Sequence, residues 1–164
     1  MRPILPALLA LAALALSACS KTETASSGPD NTPRKYAMSE ADKALVAQKF
    51  PTAVESPTGL LSVVTKPGTG TAKPRTGQVI FVNYSLRLLD GTFCEASPLG
   101  EPIKFPIGVN RVIKGWDEAL PEMTKGEKRT LIIPHYLAYG MTGSPPKIPP
   151  YATLVFDVEL VDFK

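Results

Sequence analysis

Hydrophobic and polar residues alternate along two stretches in the second half of the chain. In residues 79–89 the apolar face contains Ile80, Val82, Tyr84, Leu86 and Leu88, and the polar face contains Asn83, Ser85 and Arg87. In residues 153–162 one face contains Leu154, Phe156, Val158 and Leu160, and the other contains Val155, Asp157, Glu159 and Val161. A period of two is typical of a β-strand that buries one face. The two stretches therefore predict the two longest strands of a sheet.

Shorter apolar runs between glycine and proline turns extend this sheet. Residues 60–66, 92–95 and 127–133 predict three further strands. Asp90-Gly91 predicts a tight hairpin turn between the strands at 79–89 and 92–95. In this half of the chain only residues 113–120 have helical character. Several strands with hairpin turns and one short helix indicate an α+β fold, in which an antiparallel sheet curls over the helix.

The segment before the sheet has a different composition. Residues 20–36 are almost entirely polar, glycine or proline, so they bury too little apolar surface to offset the entropy of ordering. They predict a flexible tether. Residues 40–49 have apolar positions at helical spacing, with Ser39 as a potential N-cap and Pro51 just beyond the end. They predict one short helix, which could pack on the main domain or mediate dimerisation.

The first 18 residues have the three-part form of a secretory signal peptide. Arg2 supplies a positive start, residues 4–16 are almost all Leu and Ala, and small residues follow. The apolar run is shorter than the roughly 20 residues that span a bilayer. A buried N-terminal helix is disfavoured because so short a chain could not wrap a helix that is apolar on every side.

The end of this segment, Leu16-Ser17-Ala18-Cys19, resembles the lipobox of bacterial lipoproteins. The resemblance implies cleavage before Cys19, lipidation of Cys19 and anchoring to a membrane by several acyl chains. Ser20 stands where an Asp would favour retention in the inner membrane, which implies an outer-membrane position facing the periplasm. The alternative is a secreted protein with an unmodified Cys19. The predicted organisation is a signal peptide at 1–18, a lipidated tether with the helix at 19–58, and a folded domain at 59–164.

Composition excludes several classes of function. The chain has 164 residues, 44% of them hydrophobic, which suffices for one core. A net charge of +3 is too small for a nucleic-acid footprint. The one His, His135, and the two Cys, Cys19 and Cys94, are too few for a zinc finger or a disulfide framework. No metal and no cofactor are expected.

Three candidate motifs also lack the features that other kinds of chemistry require. Pro67-Gly68-Thr69-Gly70 lacks the Gly-Lys-Ser/Thr ending of a phosphate-binding loop and predicts a turn. The residues around His135 form no nucleophile elbow. Asp117 and Glu118 are adjacent on the predicted helix, so their carboxylates point in different directions.

A set of motifs in a fixed order resembles the FKBP-type peptidyl-prolyl cis/trans isomerases over about residues 59–164. No single motif decides the resemblance, whereas the ordered set is highly specific. The motifs are Pro67-Gly68-x-Gly70, Pro74, the run from Gly77 to Tyr84, Asp90-Gly91, the run from Val112 to Glu118, Met123-x-x-Gly126, Ile133-Pro134, Leu137-Ala138-Tyr139-Gly140, Ile148-Pro149-Pro150 and the run from Ala152 to Leu160.

The resemblance implies an antiparallel half-barrel around the short helix, with a hydrophobic prolyl pocket between helix and sheet. Trp116 would form the floor of this pocket, and the backbone N–H of Ile113 and the hydroxyl of Tyr139 would contact substrate carbonyls. The implied catalytic residues are Tyr84, Phe93, Ile113, Trp116, Tyr139 and Phe156, and the implied substrate-binding residues are Phe105, Val112, Ile148 and Cys94. The implied partners are proline-containing polypeptides of the cell envelope, with macrolide ligands as inhibitors.

The main departure from the family pattern is Cys94, which stands where an Asp usually follows the Phe. A thiol is a weak hydrogen-bond partner and, with a reference pKa of about 8.5, is mostly uncharged at pH 7, so we expect prolyl binding with reduced turnover. A free reactive thiol at Cys94 is a second hypothesis, and a partly buried structural residue is a third. At the level of the whole protein the alternatives are a proline-binding module without useful turnover and a surface lipoprotein with an adhesive role. Since only residues 40–49 are helical before the domain, we expect a monomer.

Overall fold

A computed structural model describes residues 37–164. The predicted signal peptide, Cys19 and the polar residues up to 36 lie outside this range. The helices are α1 (Glu40–Lys49) and α2 (Lys114–Ala119), and short 3-10 turns cover Leu120–Glu122 and His135–Leu137. The strands are β1 (Val54–Glu55), β2 (Leu61–Lys66), β3 (Val79–Leu88), β4 (Phe93–Ala96), β5 (Ile103–Pro106), β6 (Lys128–Ile133) and β7 (Leu154–Phe163).

The seven strands form one antiparallel sheet in the order β1-β2-β6-β7-β3-β4, with β5 paired to β3. The two strands with the clearest alternation, β3 and β7, pair along their whole length, with Tyr84 opposite Val158. The inner face of the sheet is apolar because alternate residues of each strand point to it. The α+β architecture of an open half-barrel over a short helix, predicted from the sequence, is confirmed.

The main core lies between the sheet and α2. Ile80, Val82 and Leu86 of β3 are fully buried and pack with Trp116 and Ala119 of α2. The close approach of α2 to β6 needs a glycine, because a Cβ at position 115 would lie 2.7 Å from Ile133 Cγ2. The short helix is therefore fixed against the sheet, and its Trp116 is held in place.

A second, smaller cluster lies on the outer face of the sheet, where α1 packs. Val46 of α1 contacts the buried side chains of Leu89, Ile132 and Val155. Lys49 Nζ donates to the carbonyl of Leu89 at 2.7 Å. The Ser39 side chain caps the helix by accepting from the N–H of Asp42 at 3.0 Å.

These contacts make α1 part of the same compact unit as the sheet. Of the two possibilities for the predicted helix, packing on the main domain is the one observed. The folded unit therefore begins before residue 59, the start predicted from the sequence.

Two strands, β1 and β5, have no counterpart among the sequence predictions. β1 has only two residues and pairs with β2 through Val54 and Ser62. β5 has four residues, ends in a proline, and pairs with β3 so that Phe105 lies opposite Ile80. Such short segments have too little alternation to be recognised, and pairing with a longer neighbour defines them.

In the described part of the chain, no helix has the length and apolar character needed to cross a membrane.

Candidate functional site

Four aromatic rings from four different elements meet at α2. The Trp116 ring centroid lies 5.2 Å from that of Tyr84 and 5.2 Å from that of Phe156, both at edge-to-face angles. Phe105 stacks on Trp116 at 5.7 Å with an interplanar angle of 27°. Offset and edge-to-face pairs at these distances are favourable, so β3, β5 and β7 hold the indole in one orientation.

A cavity of about 600 Å³ opens above this cluster. The buried members of its lining, Trp116 and Phe156, are aromatic, and its exposed members include Asn110, Arg111 and Lys114. The lining consists of Tyr84, Glu95, Ile103, Asn110, Arg111, Val112, Ile113, Lys114, Trp116, Ala138, Tyr139 and Phe156. A concave, mostly apolar site with a few convergent polar groups is typical of small-ligand and peptide binding.

The structure brings together most of the residues that the sequence proposed for the site. Those that line the cavity are Tyr84, Val112, Ile113, Trp116, Tyr139 and Phe156. Phe105 is not in the lining and lies against Trp116. Ile148, only 5% exposed, belongs to the core cluster.

Phe93 and Cys94 lie outside the cavity lining. The register between β3 and β4 shifts so that Leu86 pairs with Glu95 and Arg87 with Phe93, which leaves Cys94 unpaired between them. Phe93 is 66% exposed, and Cys94 is buried. The Cys94 Sγ faces the carbonyl oxygens of Thr92 at 3.7 Å and Lys147 at 3.8 Å. Burial raises the pKa of this thiol, which disfavours the reactive thiolate.

Glu95 is a polar group of the cavity that the sequence did not propose as a site residue. The Tyr84 hydroxyl donates to Glu95 Oε1 at 3.1 Å. Burial, followed by this hydrogen bond and the carboxylate charge, raises the pKa of Tyr84 to about 12. Burial and Glu95 also raise the pKa of Tyr139. The signal in the sequence was a carboxylate one residue after the position at which the family usually has Asp.

Two hydrogen-bond donors stand at the cavity wall. The Ile113 carbonyl accepts from the N–H groups of Trp116 and Asp117 at the start of α2, while the N–H of Ile113 donates to no acceptor within residues 37–164. The Tyr139 side chain is 36% exposed at the opening. Both groups can therefore donate to a bound carbonyl oxygen.

The chemistry available in this cavity is binding and desolvation. Residues 37–164 contain no cluster of three or more His, Cys, Asp or Glu that could hold a metal ion. The lining carboxylate, Glu95, is already an acceptor for Tyr84. An aromatic floor with donors at its wall suits a reaction in which conformation changes and no bond breaks.

The FKBP-type peptidyl-prolyl cis-trans isomerase family matches residues 70–161 of this sequence. The chain belongs to this family. Peptidyl-prolyl cis-trans isomerase FKBP2 from Mus musculus is 51% identical over 90 residues, which are 54% of this chain and 64% of that protein. FKBP4 from Bos taurus is 47% identical over 107 residues, or 65% of this chain and 23% of that protein. The chain thus spans less than two thirds of the length of these curated relatives.

A solved FKBP structure has the same fold. The structure titled "Crystal structure of AtFKBP13" superposes with a TM-score of 0.63 and 38% sequence identity, covering 68% of this chain and 98% of that one. The resemblance found from the ordered motifs is thereby confirmed for the family and the FKBP half-barrel. The family match begins at residue 70, so the predicted signal peptide and lipid anchor stay predictions.

Proposed function

We propose that this protein catalyses the cis/trans isomerisation of X-Pro peptide bonds in polypeptides. The observation that carries the proposal is the cavity floored by Trp116 and walled by Tyr84, Phe156 and Tyr139. Its aromatic floor suits a proline ring, which is apolar and lacks an N–H.

The barrier to this reaction is the loss of amide resonance. Rotation about the C–N bond costs about 18–20 kcal/mol, so uncatalysed exchange takes tens of seconds or longer. The planar amide is the more dipolar form and is the better solvated by water. A cavity that excludes water therefore raises the planar ground state relative to the twisted transition state.

The donors at the wall supply the second contribution. The Ile113 N–H and the Tyr139 hydroxyl would hold substrate carbonyl oxygens while the imide twists. Fixed donors need no reorganisation during the reaction, so they stabilise the twisted state more than water does. The reaction moves no proton. This is consistent with the lining, in which the carboxylate of Glu95 already accepts a hydrogen bond from Tyr84.

Two-dimensional exchange NMR on an X-Pro peptide, with the full chain in a non-ionic detergent, tests the activity. We expect exchange cross-peaks between the cis and trans forms and their loss when a macrolide FKBP ligand is added. Trp116→Leu should reduce kcat/KM at least about tenfold, because the floor loses its aromatic surface. Val64→Ala, at a 54% exposed position on β2, is the matched control. The absence of exchange at any protein concentration would contradict the proposal.

A second candidate function is a proline-binding module with little turnover. The supporting observation is Cys94, a buried thiol at the position where the family usually has Asp. In this case the peptide shifts protein resonances without acquiring exchange cross-peaks, and Cys94→Asp raises turnover per folded molecule. Unchanged turnover in Cys94→Asp would contradict a role for this cysteine in weakening catalysis.

For the cellular setting, we propose a monomer anchored through lipidated Cys19 to a bacterial outer membrane, facing the periplasm and acting on proline-containing envelope polypeptides. The support is the sequence Leu16-Ser17-Ala18-Cys19 followed by Ser20. Mass spectrometry of the N-terminal peptide should find cleavage before Cys19 and acyl chains on it, and Cys19→Ser should abolish both. Light scattering that gives twice the chain mass would contradict the monomer.

A further inference from the structure

The mouth of the cavity carries two cations without an ionic partner. Arg111 and Lys114 are exposed and flank the wall residues Val112 and Ile113. Within residues 37–164, neither side chain lies within 4.0 Å of a carboxylate oxygen. The carboxylate of the lining, Glu95, accepts from Tyr84. The two cations are therefore available to a bound polypeptide.

The loop that carries Arg111 is fixed in place by α2. Asp117 accepts from the N–H of Gly108 through Oδ1 and from the N–H of Asn110 through Oδ2, both at 2.8 Å. Asn110 takes a φ of +57°, the left-handed conformation that Asn tolerates better than most residues. Both carboxylate oxygens of Asp117 thus hold the loop backbone, and Asp117 does not pair with the Arg111 guanidinium.

Lys114 is held near the floor of the cavity by its place in the fold. It is the first residue of α2, two residues before Trp116. The helix backbone and the buried indole thus set the distance between the Lys114 backbone and the prolyl floor. Arg111 and Lys114 thus both line the cavity, one from a loop bonded to Asp117 and the other from the first residue of α2.

We propose that Arg111 and Lys114 select substrates with an acidic side chain within two residues of the isomerised proline. This inference rests on the proposed isomerase function. A polypeptide advances at most about 3.6 Å per residue, so the neighbours of a proline on Trp116 must pass the cavity mouth. An exposed ion pair there favours an acidic peptide about 1.5-fold to 5-fold, and added salt weakens the preference.

The test compares peptides that differ only in one side chain next to proline. One pair carries Glu or Gln before the proline, and a second pair carries Glu or Gln after it. With the full chain in a non-ionic detergent, the ratio of kcat/KM for Glu over Gln should exceed one in at least one pair. Raising NaCl from about 20 mM to about 500 mM should move that ratio toward one.

Charge reversal separates a local effect from a general one. Arg111→Glu/Lys114→Glu should bring the ratio below one. The matched control is Lys66→Glu/Arg75→Glu, which changes the net charge equally at exposed positions outside the cavity lining. The control should keep the wild-type ratio.

Three results would overturn the inference: a wild-type ratio of one in both pairs, a ratio insensitive to salt, or equal effects of the two double variants. Lack of acceleration on all four peptides would instead refute the isomerase function. Since the salt series uses the wild-type chain, a ratio of one or a ratio insensitive to salt overturns the inference even where a double variant does not fold.

Discussion

The Tyr84 hydroxyl donates to Glu95 Oε1 at 3.1 Å, joining β3 to β4 at the wall of the cavity. The contact depends on the register shift between the two strands, which pairs Leu86 with Glu95 and leaves Cys94 between the paired positions. The carboxylate beside Tyr84 is therefore supplied by the residue that follows Cys94.

Replacing Glu95 with Gln should lower the pKa of Tyr84 from about 12 toward its ordinary value of 10.0. The amide keeps an oxygen acceptor and removes the negative charge that disfavours the phenolate. Ring-carbon NMR titration of Tyr84 measures the change. Glu101→Gln, in the exposed segment after β4, serves as the control and should leave this pKa unchanged. An unaltered Tyr84 titration in Glu95→Gln would show that burial alone raises the pKa.

Substituting Gly115 by Ala should lower the free energy of unfolding by about 1–3 kcal/mol. The new Cβ would lie 2.7 Å from Cγ2 and 2.9 Å from Cδ1 of Ile133, whose side chain is fully buried and has no space to move away. Urea denaturation followed by Trp116 fluorescence gives the difference. Lys114→Ala, at the exposed neighbouring position, should change stability by less than about 0.5 kcal/mol. Equal stability of Gly115→Ala and the wild type would mean that α2 can shift away from β6.

Cys94→Asp should lose at least about 1–3 kcal/mol of stability, because a buried carboxylate would face two carbonyl oxygens. The Sγ of Cys94 now lies 3.7 Å from the Thr92 oxygen and 3.8 Å from the Lys147 oxygen. An Asn side chain has the same shape as Asp, and its amide can donate to these oxygens. Cys94→Asn should therefore be less destabilised than Cys94→Asp. Urea midpoints of the two variants make the comparison. Equal midpoints would indicate that the Asp side chain turns toward solvent.

The stability should fall as the pH drops below about 6.5 because of His135. Burial lowers the pKa of this imidazole from 6.5, with an opposing contribution from Asp42. Its Nδ1 has no hydrogen-bond partner in the described range, and the rings of Tyr136 and Tyr151 pack edge-on against it. Between 6.5 and the lower folded-state pKa, the unfolded chain binds a proton that the folded chain does not.

The contribution of His135 is therefore complete above about pH 6.5 and declines as the pH falls through that interval. Urea midpoints measured from pH 7.5 down to 5 should show this decline in the wild type. His135→Phe keeps an aromatic ring without a titratable group and should show a smaller decline. Parallel pH profiles for both proteins would assign the effect to other groups.

Local periodicity was sufficient for the elements that are long enough to display it. Strands β3 and β7 bury Ile80, Leu86 and Leu160 as their alternation requires, and α1 begins at the Ser39 cap. The ordered motifs were sufficient to identify the family. Each motif, such as a glycine turn or the run around Trp116, consists of residues that are neighbours in the sequence. These features can be predicted without knowing which distant residues meet in the fold.

Other features depend on residues that are distant in the sequence. Val155 lies on the mixed face of β7 and is buried in the cluster to which Val46 of α1 belongs. Periodicity gives no information on a register shift, so it could not place Cys94 in the core and Glu95 beside Tyr84. The positions of Arg111 and Lys114 at one cavity mouth likewise follow from how α2 packs on the sheet. A sequence records which side chains a strand or helix presents, whereas long-range pairing decides which of them meet.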